Sequence, residues 1–295
     1  MSRAASSTVD AALFPGSFLR LLSVVPAAVR RLHAGVADGR RAVRGEGGRF
    51  FFRGHREYRP GDDIRRVDWR VEARLGKLEV RQFDAQKDVL TEVWLDGSAS
   101  MGPCRGRVTS ARAAALCCAT GLGEGGRVRL GVLRDGKAER LLEVAEPGQM
   151  RAVLEALSNT PPAARAELAT ALPRLAQQVP RGARFIWVSD LLTRADPGVL
   201  HAFAGRALRG ALLHLRVPEI HAPAPGATMR AHDVESGAMR TVRLDERAAA
   251  RIAERARAHA DLWAHHAHSV GLLYMPFAPS GGPEALLRRL VLEVP

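Results

Sequence analysis

The fold of this chain is decided by the stretch Leu95-Asp96-Gly97-Ser98-Ala99-Ser100-Met101-Gly102. An apolar run, Val89 to Leu95, leads into it and predicts a buried strand. The segment Arg107 to Leu116 follows and has the composition of a helix. The stretch therefore lies at a strand-to-helix turn. In open α/β sheets such turns, at the carboxyl ends of the strands, are where ligands bind.

The spacing within this stretch indicates a site for a hard cation. Asp96, Ser98 and Ser100 stand at alternate positions, and one carboxylate with two hydroxyls suits Mg²⁺ or Mn²⁺ better than Zn²⁺. The same string is also typical of a polar loop that caps a helix. A second apolar strand, Ala183 to Val188, favours the cation site, because it runs into Asp190 and so places another carboxylate at a strand end.

Other chemistries for the same residues fail on spacing. A nucleophile elbow needs Gly-x-Ser-x-Gly, but Asp96 and Ser100 flank Ser98. A phosphatase with an aspartyl nucleophile would carry a second Asp two residues after the first, where this chain has Ser98. The sequence also has no Gly-x-x-x-x-Gly-Lys-Ser/Thr run and hence no P-loop.

Composition predicts a globular protein of the cytoplasm. The chain has 295 residues, 46% of them hydrophobic, enough for one large α/β domain or two small ones. No run reaches the roughly 18 to 20 uninterrupted apolar residues of a membrane span, although an amphipathic helix around Phe18 to Leu32 is compatible with peripheral membrane contact. Cys104, Cys117 and Cys118 show no Cys-x-x-Cys spacing and fit reduced thiols.

The net charge of +13 invites a nucleic-acid interpretation. The basic residues are nearly all arginine and the chain is rich in alanine, which is the pattern of a GC-biased coding sequence. No zinc knuckle, helix-turn-helix signature or basic strand interleaved with aromatic residues accompanies the charge. Nucleic-acid binding is therefore the least favoured of the functions considered.

A second informative segment, Gly45 to Arg81, is dense in charge and turn residues. Asp62 or Asp63 is placed to cap a short helix that carries Ile64, Val67 and Val71 on one face. The segment is either a solvated connector whose Trp69 enters the core, or a recognition surface beside the metal site, where arginine forks suit carboxylate or phosphate partners. The candidate recognition residues are Arg56, Tyr58, Asp62, Asp63, Arg65, Asp68, Trp69 and Arg74.

These segments together resemble a bacterial family catalogued as domain of unknown function 58. Its members look like von Willebrand factor A domains behind a characteristic N-terminal motif. The resemblance lies in Arg56 to Trp69, in Ala73-Arg74 and in Asp96 to Met101, and it continues more weakly through Asp190 and through Asp233 to Gly237. It implies a doubly wound, mostly parallel sheet with helices on both faces.

The resemblance also implies a metal-ion-dependent adhesion site. In such sites two Asp, two Ser and a Thr hold a divalent cation, and a carboxylate of the partner takes the open coordination position. The Thr position falls on Ala166 here; Thr170 lies one helical turn further on, and Glu167 or a water would be the other substitutes. The matching ligands are Asp96, Ser98, Ser100 and Asp190.

The function implied is that of a non-enzymatic interaction module. Members of the family are commonly encoded beside MoxR-type AAA+ ATPases, so the resemblance implies an adaptor or co-chaperone that acts with such an ATPase on a protein client with an exposed carboxylate. The alternative from the residues is a metal-dependent phosphoester hydrolase, which needs a general base; His55 is the nearest histidine in sequence.

Alternating strand and helix patterns after Asp96 predict the doubly wound sheet. We expect an N-terminal helix and motif segment at 1–86, a von Willebrand factor A-like domain at 87–295, and a loop-hairpin insertion near 222–242 with its turn at Glu235 to Gly237. Helices are expected at Gly198 to Leu208 and from Asp245 to about His268. The histidines near the end of the latter favour the helix dipole over a zinc site.

Overall fold

A computed structural model describes residues 9–36, 42–45, 48–60, 62–64, 67–85, 89–103, 105–162, 167–226, 228–232 and 238–294. The helices are α1 (Gly16–Val36), α2 (Trp69–Leu75), α3 (Gly106–Gly123), α4 (Met150–Ser158), α5 (Leu168–Gln178), α6 (Pro218–His221), α7 (Glu246–Ser269) and α8 (Gly282–Glu293). The strands are β1 (Ala42–Gly45), β2 (Gly48–Glu57), β3 (Glu79–Ala85), β4 (Leu90–Asp96), β5 (Arg127–Arg134), β6 (Lys137–Val144), β7 (Arg184–Ser189), β8 (Arg209–Leu215), β9 (Thr228–His232), β10 (Met239–Arg243) and β11 (Leu273–Phe277).

The chain divides into two compact units. One comprises the residues up to Val29 together with those from Leu90 onward, and the other is Arg30–Val89. The first unit thus includes N-terminal residues that the expected boundary at 86/87 places in the other segment. The apolar face of α1 packs into the same core as α3 and the sheet, because Phe18, Leu22 and Val25 belong to that buried cluster.

The first unit contains a doubly wound sheet, as the sequence predicts. Among the described residues it has six strands in the order β11-β8-β7-β4-β5-β6. The pairs are parallel except β5 with β6, which form an antiparallel edge. One face is covered by α1, α3, α4 and α8, and the other by α5 and α7. Alternate residues of β4 face the two cores: Val93 and Leu95 face the first, and Trp94 faces the second.

Two expected elements differ in form. The helix expected at 198–208 is a short 3₁₀ helix, Pro197–Phe203, whose start is capped by Asp196 through a 2.6 Å hydrogen bond from the Gly198 amide. Gly205 follows at a φ of +72°, a left-handed conformation that stops further helix. The hairpin expected near 222–242 is present as antiparallel β9 and β10, while its expected turn at 235–237 lies outside the described residues.

In the second unit, β1, β2 and β3 form an antiparallel sheet beside α2. The expected helical face of Ile64, Val67 and Val71 is wrong. Val67 forms a β-bridge with Val80, and α2 begins only at Trp69, so Ile64 is 61% exposed while Val67 and Val71 are buried. Three apolar residues at spacings of three and four do not distinguish a helix from a bridge followed by a helix.

Candidate metal centre at the switch point of the sheet

The two candidate carboxylates lie where the order of the strands reverses. β4 and β7 are parallel neighbours in the middle of the sheet, and the chain winds outward from them in opposite directions. Such a switch point leaves a crevice beyond the carboxyl ends of the strands. Asp96 is the last residue of β4, and Asp190 follows the last residue of β7. Both side chains are buried.

A hydrogen bond joins the two strand ends. The Ser189 hydroxyl donates to Oδ2 of Asp96 over 2.6 Å, and the Ser189 oxygen accepts the Leu191 amide at 2.9 Å. Ser189 is fully buried. It orients the Asp96 carboxylate from the neighbouring strand, a role that the sequence motif does not include.

The serines of the motif form a compact turn with Asp96. Oδ1 of Asp96 accepts the Ser98 amide at 2.9 Å, and the hydroxyls of Ser98 and Ser100 are 2.9 Å apart. Gly97 allows this turn to press against β5: its amide donates to the Leu133 carbonyl at 2.8 Å, and a Cβ on Gly97 would lie 2.8 Å from that same oxygen. Any other residue at 97 would push the turn away from the sheet.

The negative charge of Asp96 makes ionisation of Asp190 less favourable. Burial, and next the negative charge of Asp96, raise the pKa of Asp190 to about 7. Hydrogen bonds from the Leu192 amide and the Ser100 side chain oppose this rise. At neutral pH the pair therefore favours either a shared proton or a bound cation.

The donor set fits a hard divalent cation. Carboxylate and hydroxyl oxygens are the ligands that Mg²⁺ and Mn²⁺ prefer. In the described part of the chain no three His, Cys, Asp or Glu side chains are grouped in a metal-binding arrangement, so Ser98 and Ser100 would have to complete the set beside Asp96 and Asp190. These residues would hold the ion; Ala166 lies outside the described residues.

Thr170 lies beside the turn between β5 and β6 and makes none of the contacts that join the motif serines to Asp96. It is exposed, and with Glu167 it packs beside Gly136 in the turn between β5 and β6. Thr160, in contrast, lines a small pocket together with Asp96 and Gly97. The Thr160 hydroxyl donates to the Ala156 carbonyl at 2.7 Å. The pocket also contains Arg107, whose Nη2 donates to the Ser158 carbonyl at 3.0 Å.

His214 is a further residue of the site that the motif does not reveal. It lies on β8, paired with Ser189 of β7, and its Nε2 is 3.1 Å from the Asp190 carbonyl oxygen. Burial, and next the charges of His221 and Arg216, lower the pKa of His214 to about 3, so its ring is neutral. A single histidine inside the apolar run from Leu212 to Leu215 was the available signal.

The arginine-rich motif in the second unit is built from local contacts. Arg56 grips Asp62 with two hydrogen bonds of 2.5 and 2.7 Å, and the Arg59 amide donates to the same carboxylate at 2.8 Å. These bonds, that from Arg56 first, lower the pKa of Asp62 to about 2. The pair therefore closes the turn around Pro60.

The remaining motif residues are divided between backbone pairing and solvent. The backbone amides of Tyr58 and Asp68 donate to the carbonyls of Leu78 and Glu79, respectively. Trp69 is 57% exposed, which excludes the interpretation that it plugs into the core. Asp63 and Arg74 are exposed, and Arg65 lies outside the described residues.

Comparison with known proteins now assigns the family. The sequence profile described as "Protein of unknown function DUF58" matches residues 54–261, which include the motif segment and both carboxylates. The chain belongs to this family. Uncharacterized proteins of Mycobacterium tuberculosis and Mycobacterium bovis are 31% identical to this DUF58 chain over 214 residues, covering 69% of it and 67% of each relative.

Solved structures with similar folds include two at low sequence identity. The conserved hypothetical protein BatB from Bacteroides thetaiotaomicron is 19% identical, with a TM-score of 0.42 over 68% of this chain and 96% of that one. The SpRpn10 VWA domain is 12% identical, with a TM-score of 0.38 over 69% of this chain and 95% of that one. The fold of this DUF58 chain is a doubly wound, mostly parallel α/β sheet with helices on both faces. Within the described residues, the helices are all too short or too polar to cross a membrane.

Proposed function

We propose that this chain is a non-enzymatic protein-interaction module whose contact with its partner depends on a divalent cation. The observation that carries the proposal is the pair of buried carboxylates, Asp96 and Asp190, at the switch point of the sheet. Two buried acidic groups, of which Asp96 raises the pKa of Asp190, are costly unless a positive charge joins them. A cation supplies that charge.

The chain's own residues would orient the ion and select the partner. Asp96, Ser98, Ser100 and Asp190 would hold Mg²⁺ or Mn²⁺, while Ser189 keeps the Asp96 carboxylate in place. The bound cation would supply Lewis acidity toward one further oxygen ligand, and a carboxylate exposed on a client protein suits that position. Thr170, in the first turn of α5, remains a candidate ligand only if the start of that helix moves toward Asp96.

The family resemblance supports the finer part of the proposal. We propose that the chain acts in the cytoplasm as an adaptor or co-chaperone of a MoxR-type AAA+ ATPase in protein or complex assembly. The arginine-rich motif is the candidate contact for the ATPase or the client, because Trp69 and Arg74 are exposed and both residue types are frequent at interface hot spots.

Isothermal titration with Mg²⁺ and Mn²⁺ tests the metal site directly. Asp96→Asn keeps the shape of the side chain and removes its charge, so we expect binding to be lost. Glu293→Gln, an exposed residue at the end of α8, removes one negative charge near Arg184 at the opposite end of β7 and should bind like the wild type. Thr170→Ala decides whether that hydroxyl is a ligand. Full affinity in Asp96→Asn would exclude this site.

Capture of the partner tests the interaction. A purified MoxR-type ATPase and its client should be retained by this chain in Mg²⁺ and released by EDTA. Retention that is equal in both buffers would leave an interaction module without cation dependence.

Metal-assisted phosphoester hydrolysis is the second candidate. It is favoured by Arg107, which lines the same pocket as Asp96 and would suit a phosphate group. Turnover of p-nitrophenyl phosphate that disappears in Asp190→Asn would support this activity, and a silent panel of phosphoesters would remove it.

A further inference from the structure

We propose that His214 is a positioning residue of the cation site: it holds the backbone carbonyl of Asp190 and so fixes the direction of the Asp190 carboxylate. The inference rests on the proposed cation binding at Asp96 and Asp190. It concerns a residue outside both sequence motifs, on a strand that contributes no ligand of its own.

The hydrogen-bond pattern assigns the hydrogens on the His214 ring. The Asp190 carbonyl oxygen can only accept, so the Nε2 that lies 3.1 Å from it carries the hydrogen. In a neutral imidazole the other nitrogen is then an acceptor, and Nδ1 receives the hydroxyl hydrogen of Tyr274 at 2.5 Å. Tyr274 on β11 thus keeps the ring in the tautomer that grips Asp190.

The backbone that His214 grips is held in a strained turn. Leu191 is fully buried and has a φ of +55°, a left-handed conformation that is unfavourable for a residue with a Cβ. Its amide donates to the Ser189 hydroxyl oxygen, and its carbonyl oxygen lies 2.8 Å from Nε2 of His259 on α7. Imidazoles therefore surround the two consecutive carbonyls: His214 contacts that of Asp190, to which His221 beside it also contributes, and His259 contacts that of Leu191.

This turn sets where the Asp190 carboxylate points. Oδ1 of Asp190 accepts the amide of Leu192, the residue just beyond the left-handed position, at 3.0 Å. If the carbonyl of Asp190 were released, the strained turn would relax and the carboxylate would lose its fixed approach to Asp96. Groups that orient metal ligands in this way typically account for about 10–100-fold of metal affinity.

Paired substitutions separate this role from simple packing. In His214→Gln the side-chain amide keeps an N–H donor near the position of Nε2, whereas His214→Met fills a similar volume without a donor. Ile186→Val, a buried change on β7, is the control for a general loss of stability. We expect the Mg²⁺ affinity, measured by isothermal titration, to fall about 10–100-fold in His214→Met and to stay close to wild type in the other two variants.

A second measurement needs no metal. Hydrogen exchange of the peptide that covers 189–193, in the metal-free full chain, should be faster in His214→Met than in wild type and near wild type in His214→Gln. If the wild type binds no Mg²⁺, the proposed cation function fails, and this exchange experiment alone decides the role of His214. Equal exchange in His214→Met and wild type, or equal losses in the Met and Gln variants, would overturn the proposal.

Discussion

The sheet edge at Asp96 and Asp190 and the arginine-rich motif at Arg56 to Trp69 differ in how they are built. At the sheet edge the decisive hydrogen bond joins Ser189 to Asp96, residues 93 positions apart, and both side chains are buried. In the motif the decisive pair joins Arg56 to Asp62, six positions apart and near the surface. Equally distinctive sequence strings can thus encode a preorganised buried site or a local surface turn.

The largest expected effect compares an ion pair inside the sheet with the ion pair of the arginine-rich motif. Glu92 of β4 is fully buried and accepts from Arg129 at 3.1 Å and from the Trp94 indole at 3.0 Å. Glu92→Ala would leave the buried Trp94 indole without its acceptor and Arg129 with Glu143 alone, and should cost about 2–4 kcal/mol of unfolding free energy. Asp62→Ala removes a partner near the surface, where solvent screens the ion pair, and should lower that free energy by clearly less. Urea denaturation measures both, and similar losses would break the contrast.

The pH dependence of stability sharpens the contrast, because the pKa of Asp190 at the sheet edge is raised and the pKa of Asp62 in the motif is lowered. Between about pH 4 and pH 7 the folded chain keeps a proton on Asp190 that the unfolded chain has lost. The metal-free protein should therefore lose stability as the pH rises from about 4 to about 7, and Asp190→Asn should flatten this slope. Asp62, whose pKa is lowered, contributes stability above about pH 4 that is lost as the pH falls toward 2.

Thermal melts with and without Mg²⁺ check the same point. Because the cation and the proton compete for Asp190, Mg²⁺ should raise the melting temperature more at pH 8 than at pH 6. A wild-type slope that persists in Asp190→Asn would show that another group causes it.

The smallest expected change in stability is at Trp69. More than half of this side chain is exposed, so Trp69→Ala should alter the unfolding free energy by less than about 1 kcal/mol. Trp187→Ala, at a fully buried position of β7, is the matched control and should cost about 3–5 kcal/mol. We expect Trp69→Ala to abolish capture of the ATPase or client. Undiminished capture would remove this motif as the contact.

The sheet edge is predictable from the sequence, because ligands of open α/β sheets bind at the carboxyl ends of strands and apolar runs show where the strands end. Asp96 and Asp190 could be brought together without any knowledge of distances, since β4 and β7 had to end at the same edge. Ser189 was visible as the residue before Asp190, but the direction of its hydroxyl depends on the register of two strands. His214 depends on a third strand and on Tyr274 from a fourth.

The sequence predicts which face of a helix is buried better than it predicts what that face packs against. The amphipathic pattern of α1 indicated that one side is buried, yet it carried no information on which core receives that side. The spacing of Ile64, Val67 and Val71 was compatible with a helix, and only the pairing of Val67 with Val80 revealed the bridge. Both errors concern contacts between distant parts of the chain, which local periodicity does not encode.

The placement of α1 has a practical consequence for dissecting the chain. A fragment that starts at residue 87 follows the boundary expected from the sequence, but it lacks Phe14, Phe18 and Val25 from the core around α3. Gly123 of α3 is also so close to Pro26 that a Cβ on it would lie 2.9 Å from the Pro26 Cα. Truncation there would expose an apolar trough and favour aggregation. Expression fragments should instead keep α1 and replace the intervening unit by a linker.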